Sequence, residues 1–217
     1  MYIESIDTTG KNKCKIHLSN GVDLTLYKGE VRQLHLQEND EITEDMYEEV
    51  LEEILIPRAR RRAMHLLEKM DRSTRQLETK LREGGYPEPA IESAIAYVTS
   101  YHYLDDERLA RSHIRFYQTS RSRMRMTQDL LKKGIDREII DRCMEEELEQ
   151  SQMELIAVLL QKKGYAPENA TRQEEAKMYR FLMQRGFASS EISRARRIFG
   201  MGLRDIFLTS HIRKYKI

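Results

Sequence analysis

Cysteine is scarce: Cys14 and Cys143 are the only two in a chain of 217 residues. Two are too few for a disulfide framework or a thiolate zinc site, and they fit a reducing cytoplasm in which redox chemistry has no part. The opening Met1-Tyr2-Ile3-Glu4-Ser5 lacks a basic segment followed by an apolar run, and no stretch approaches the length needed to cross a bilayer. The expectation is a soluble, unexported, cytoplasmic protein without a membrane partner. His17, His35, His65, His102, His113 and His211 are scattered without zinc-ligand spacing, and no serine sits in a nucleophile elbow. Gly84-Gly85 lacks the lysine and hydroxyl of a phosphate loop. With no catalytic constellation, no metal and no cofactor expected, the chain reads as a non-enzyme. Net charge is also small: 34% of residues are charged, yet the formal sum is +1, so any nucleic-acid surface must come from uneven distribution.

What is present divides the chain by period. Cys14, Ile16 and Leu18 alternate with Lys13, Lys15 and His17, and Val22, Leu24 and Leu26 repeat the alternation after Ser19-Asn20-Gly21, which supplies positive-φ residues for a tight turn. Residues 13–27 therefore predict a β-hairpin, and Ile3 to Asp7 is a candidate further strand. A hairpin alone is marginal in water, so residues 1–42 are expected to form a small β-rich appendage leaning on the rest of the chain. From the N-cap Thr43 the period becomes helical, with Met46, Tyr47, Val50, Leu51, Ile54 and Leu55 on one stripe over residues 43–57, and Pro57 punctuates this linking helix. Helical patterning resumes at Ala59, Ala63, Leu66 and Leu67, and Ser73-Thr74-Arg75-Gln76 is a capping box that starts another helix.

Three segments then share one spacing. Leu77, Leu81, Gly85, Tyr86 and Ile91 match Met126, Leu130, Gly134, Ile135 and Ile140, which match Met178, Leu182, Gly186, Phe187 and Ile192, with offsets of four, four, one and five throughout. Two apolar residues one turn apart face a core, glycine ends the helix in the left-handed conformation, and the next apolar residue packs back. Pro87, Asp136 and Ser189 or Ser190 supply the start signals of the following helix. A bland alternative is that this pattern recurs by chance, since glycine commonly ends helices; the shared downstream isoleucine argues for repetition. Adding the preceding helix gives three-helix units at residues 58–105, 106–150 and 151–197, followed by a basic segment over 198–217. The predicted fold is mainly α, an elongated, curved array of three tandem three-helix repeats with a small N-terminal β-hairpin region.

These residues also carry a family likeness. Leu66-Leu67 before Asp71-Arg72-Ser73, Gln76-Leu77 with Lys80-Leu81, and Tyr103 through Ala110 resemble the first repeat and repeat junction of the RecX family. Gln128 through Ile135 is similar to its second repeat, and Phe181-Leu182 to Arg185-Gly186-Phe187 to its third. The resemblance runs from about Arg58 to Arg197, and departs where Gln76 and Asp129 stand in place of the family's frequent Glu. It implies a regulator that binds filaments of the recombinase RecA on single-stranded DNA, slows their ATP hydrolysis and strand exchange, and so acts in homologous recombination, DNA repair and the SOS response; separately, a monomer is expected.

Candidate contact residues come from the charge pattern. Arg121, Arg123 and Arg125 precede the second repeat's glycine-terminated helix, with Lys132 and Lys133 close by, and a helix N-terminus beside arginines can hold phosphate through backbone N–H groups and guanidinium forks together. The alternative is a solvated loop and face. Arg58, Arg60, Arg61 and Arg62, with Arg72 and Arg75 nearby, follow the acidic stretch Glu38 to Glu53, which favours helix-face salt bridges as their explanation. Arg194, Arg196, Arg197, Arg204, Arg213, Lys214 and Lys216 give the C-terminal end positive character. Asp105-Asp106-Glu107 reads as a helix-start cluster rather than a metal site. Tyr97, Tyr101 and Tyr103 could stack on unpaired bases, although core packing is the favoured reading. Three-helix units with a glycine turn also describe helix-turn-helix DNA-binding proteins, the rival reading, against which stand the acids on the post-glycine helices Glu88 to Tyr101 and Asp136 to Glu149. Single- or double-stranded DNA is thus a candidate direct partner, and a protein-only scaffold is a third possibility, separable by salt dependence.

Overall fold

Alternation at the N-terminus folds as its period dictates. The computed structural model describes residues 1–148, 151–166 and 169–200. Strands β1 (Ile3–Thr9), β2 (Lys13–Leu18) and β3 (Asp23–Tyr27) form an antiparallel meander in that order, with Ile16 opposite both Ile6 and Leu24. The turn before β3 needs positive φ at Gly21 alone, at 80°; the Asn20 side chain instead accepts a hydrogen bond from the Val22 N–H at 3.1 Å. Cys14, Ile16, Leu18, Leu24 and Leu26 all point inward and are buried. The start of β1's outer edge is covered, because the Ile3 N–H donates to the Asp40 carbonyl and the Ile42 N–H to that of Met1.

The sheet is more than an appendage. Ile3, Ile16, Leu18, Leu24 and Leu26 share one buried cluster with Val50, Leu55, Ala59, Leu77, Leu81 and Ile91, so strands and first repeat have a common core. Helices α1 (Lys28–Gln33) and α2 (Glu44–Glu49) lead into a π-helical stretch, Val50–Leu55, that runs without a break into α3 (Ile56–Lys69). Pro57 therefore does not end the helix. Proline lacks an N–H and crowds the carbonyl four residues back; here the wider turn, in which the Ile56 N–H reaches the Leu51 carbonyl, accommodates it. Helices α4 (Thr74–Glu83) and α5 (Glu88–Ser100) complete the first repeat. The capping box at α4 is reciprocal, with the Gln76 N–H donating to Ser73 Oγ and the Ser73 N–H to Gln76 Oε1, both at 3.2 Å. Asp106 adds an acceptor at the same helix start, taking the Thr74 N–H at 2.8 Å.

The chain divides into two units, Met1–Asp106 and Glu107–Ile217. The second holds α6 (Asp106–Tyr117) from Glu107 onward, α7 (Arg123–Lys132) and α8 (Arg137–Glu147), then α9 (Gln152–Lys162), α10 (Arg172–Gln184) and α11 (Ser189–Gly200). Each triplet has its own buried cluster, one around Met126, Leu130 and Ile140, the other around Leu182, Phe187 and Ile192. The repeated spacing has one structural cause. Behind each glycine, the N–H of Tyr86, Ile135 or Phe187 returns to the carbonyl of Leu81, Leu130 or Leu182, at 3.4, 3.3 and 3.3 Å. A fourth turn of this kind closes α9, where the Tyr165 N–H reaches the Leu160 carbonyl at 3.0 Å. Ile156, Leu160, Gly164 and Tyr165 repeat the first offsets, but Ala170 stands where the isoleucine would be. The glycine motif by itself thus marks a helix end, and the downstream isoleucine marks the repeat. Among the described residues no helix is long and apolar enough to cross a membrane.

Candidate nucleic-acid interface

Two of the three arginines around the start of α7 are held by an acid of that helix. Arg121 places its guanidinium over the Tyr117 ring, 3.6 Å from the centroid, and pairs with Asp129 at 2.6 Å. Arg125 reaches the other oxygen of Asp129 at 3.3 Å. Asp129 therefore compensates two of the three candidate arginines. Behind Tyr117, burial holds the His113 imidazole below its usual range, with Lys133 and Arg121 acting the same way and Asp129 against them.

The N–H groups of Arg123 and Arg125 at this helix start are engaged as well. Ser122, buried at the N-cap of α7, accepts from the Arg125 N–H at 3.1 Å, donates its hydroxyl to the Gly186 carbonyl at 2.6 Å, and donates its own N–H to the Arg185 carbonyl at 3.0 Å. The Arg123 N–H goes to Gln152 Oε1 at 2.9 Å. The second and third repeats meet here, so an anion would be held through side chains, not through these N–H groups. Arg123 and Lys132 are exposed and make no ion pair among the described residues. Sequence reading missed Ser122, though a signal existed: it stands four residues before Met126, as the capping Ser73 stands four before Leu77.

The other candidates are dispersed. Arg72 donates from Nε to the Leu66 carbonyl at 3.4 Å, near the end of α3, whereas Arg75 is exposed on α4. On α11, Arg196 pairs with Glu175 at 2.5 Å, while Arg194 and Arg197 are exposed. Arg204, Arg213, Lys214 and Lys216 lie outside the described residues. The salt bridges expected between Glu38–Glu53 and the arginines of α3 do not form among the described residues. Arg58 pairs with Glu30 instead, and Arg60 donates to Ser93 Oγ at 2.8 Å and lies over the Tyr97 ring. The reason is geometric: α2 and α3 belong to one continuous helical run, so most of the acids lie along the axis from the arginines, not across from them. Tyr97 packs against the core, but Tyr101 and Tyr103 are exposed at 58% and 50%, so two of the three tyrosines are not core residues. Phe116, 75% exposed on α6, is a further apolar surface residue with no sequence signal beyond its place in the helix.

One ion network joins α6 to α8. Glu107 binds Arg111 at 2.6 Å and Arg142 at 2.7 Å, Arg111 also reaches Glu146 and Glu147, and Arg115 binds Glu147 at 2.5 Å. Hydrogen bonds from Arg111 and Arg142 hold the Glu107 carboxyl below the usual carboxylate range, and those from Arg115 and then Arg111 do the same for Glu147 against the effect of burial. A depressed carboxyl contributes stability that is present above its unfolded value, about 4.3, and is lost as pH falls through the folded value. The thermal midpoint should therefore hold from pH 7 to about 5 and fall below about 4.5. In a Glu107→Gln, Glu147→Gln double variant that acid-side fall should be shallower, and an unchanged profile would contradict the network's role. Several acids of α5 and α8 are paired with arginines, yet Glu92, Glu138 and Glu145 stay exposed. The helices after the first two glycines, α5 and α8, thus present no basic reading surface, whereas α11 carries Arg194, Arg196 and Arg197.

Comparison with known proteins finds three tandem three-helix domains. Residues 59–97 match the first three-helix domain of RecX, 105–144 the second and 150–195 the third. The chain is 36% identical over 134 residues to the regulatory protein RecX of Vibrio campbellii, covering 61% of this chain and 86% of that protein. It belongs to the RecX family. The RecX protein of Caldanaerobacter subterraneus subsp. tengcongensis is 30% identical over 164 residues, covering 75% of this chain and 81% of that one. A crystal structure of RecX from Lactobacillus salivarius superposes with a TM-score of 0.57 at 21% identity, covering 68% of this chain and 97% of that one. A second RecX crystal structure covers 90% of this chain and 98% of its own at a TM-score of 0.54 and 21% identity. Both likenesses concern the fold. The N-terminal sheet precedes the three matched RecX domains.

Proposed function

We propose that this RecX-family chain is a cytoplasmic, monomeric, non-enzymatic regulator that binds RecA filaments on single-stranded DNA and slows their ATP hydrolysis and strand exchange. The observation that carries this reading is the tandem of three RecX three-helix domains, whose relatives are named regulatory proteins. Repeated units suit a repetitive partner, since modest contacts per unit add through effective concentration. In this reading Arg123, Lys132, Arg75, Arg194 and Arg197 are the cations available for the filament. Arg121 and Arg125 are structural first, because freeing them costs their bonds to Asp129.

The test is ATP hydrolysis by preformed RecA filaments with substoichiometric protein added. A dose-dependent fall is expected, and Arg123→Glu with Lys132→Glu should weaken it by roughly tenfold, about 1.4 kcal/mol of lost interaction. No fall at any dose, together with sequence-specific duplex binding, would replace this reading with the helix-turn-helix one.

A further inference from the structure

Arg58, Arg61, Arg62 and His65 lie at spacings that bring them to one side of α3. The first of them is committed to the fold. Arg58 donates from Nη1 to the Thr25 carbonyl at 3.2 Å, pairs with Glu30, and lies over the Tyr27 ring at 4.4 Å, so this side of α3 rises beside strand β3. Arg61 and Arg62 come next along it, exposed and without an ion pair among the described residues. Burial pushes the Tyr86 phenol up, and Arg58, Arg62 and Arg61 act against that, which is consistent with all three guanidiniums lying near that ring.

Tyr86 also lines a cleft of about 740 Å³ between the sheet and the α4–α5 turn, together with Lys13, Lys15, Thr25, Arg82 and Glu88. The acids around it are already held: Asp23 by Lys15 and His17, Glu88 by Arg82, Glu83 by Lys80, and Glu30 by Arg58. Among the described residues Lys13, Arg61 and Arg62 are left as surplus cations, and Tyr27, 41% exposed with Arg58 over its ring, stands opposite Lys13 in the sheet as an aromatic surface. Guanidinium forks match phosphate oxygens, and an open aromatic face accepts an unpaired base without sequence preference. This combination fits a single strand better than a duplex, whose bases are stacked away from such a ring.

We propose that the junction of the N-terminal sheet with α3 binds single-stranded nucleic acid, with Arg61 and Arg62 on the phosphates, Lys13 across the cleft, and Tyr27 as a stacking surface. The sheet, which precedes the matched RecX domains, thereby gains a role: it supplies Tyr27, Lys13 and one wall of the site. The proposal does not depend on the filament reading, because it needs no recombinase.

The experiment measures anisotropy of a labelled oligothymidylate of about 20 nucleotides with the full chain alone, over a series of salt concentrations. Arg61→Glu with Arg62→Glu should weaken binding by about tenfold or more and reduce the slope of log K against log salt by about 1.4, two contacts at about 0.7 each. Tyr27→Ala should weaken binding by about fivefold or more. Arg61→Gln with Arg62→Gln serves as the milder variant, and the thermal midpoint of each protein checks the fold. Wild-type affinity and slope in folded variants would overturn the proposal, as would absence of wild-type binding or tighter binding to a duplex of equal length. The same variants in the filament ATPase assay separate the two readings: slowed hydrolysis without free-strand binding sinks only this one, and strand binding without slowed hydrolysis sinks only the other.

Discussion

Phe187→Ala is expected to lower stability by about 3–5 kcal/mol, the usual cost of emptying a buried aromatic site. Phe187 is fully buried, and it is the residue that packs back after the glycine ending α10. Among the described residues its cluster holds nine buried members, Leu155, Leu160, Leu182 and Ile192 among them, which would be left facing the space the ring vacates. Chemical denaturation followed by circular dichroism should show either a lower midpoint or an early separate transition of the third repeat. Phe116→Ala is the matched control. That ring is 75% exposed, and its loss should change stability by no more than about 0.5 kcal/mol. Equal effects of the two substitutions would mean that the third repeat has no packed core around Phe187.

Gly186→Ala should cost about 2–5 kcal/mol, the sum of left-handed backbone strain and overpacking. Gly186 has φ 85°, and an added Cβ would stand 2.6 Å from Arg125 Cβ and 2.8 Å from Ser122 Oγ. Neither neighbour moves freely, because Ser122 is buried and bonded to both the Gly186 carbonyl and the Arg125 N–H, and Arg125 Cβ is fixed to the α7 backbone. Gly164→Ala isolates the backbone share. There φ is 63° with no described atom within 4 Å of an added Cβ, so about 1–2 kcal/mol of strain alone is expected. Urea denaturation of both variants measures the difference, which reports the close contact between the second and third repeats. If the two costs are equal, that contact contributes nothing.

The two glycines show how far sequence could go. Both stand in the same local pattern, with an apolar residue four before and another one after, and both end helices. The pattern is legible because a helix end is settled within about six residues by hydrogen bonds that the chain makes to itself. That Gly186 also receives Ser122, 64 positions earlier in the chain, is not legible, since nothing local to either residue requires the other. The same distinction separates the candidate arginines. Their number and order are plain in the sequence, but Asp129 takes Arg121 and Arg125, Glu30 takes Arg58, and Arg61 and Arg62 are left open by packing that no charge run encodes.

By itself the sequence determined the strand alternation, the three helix–glycine–helix units and the family to which they belong, all of which rest on periods and short-range hydrogen bonds. Tertiary structure alone decided that the sheet shares its core with the first repeat, that the run through Pro57 stays helical on a π-turn, and which cations remain free to meet an anion. The physical reason is range. Backbone bonding and side-chain period act over a few residues, whereas burial and ion pairing depend on which distant segments are brought together.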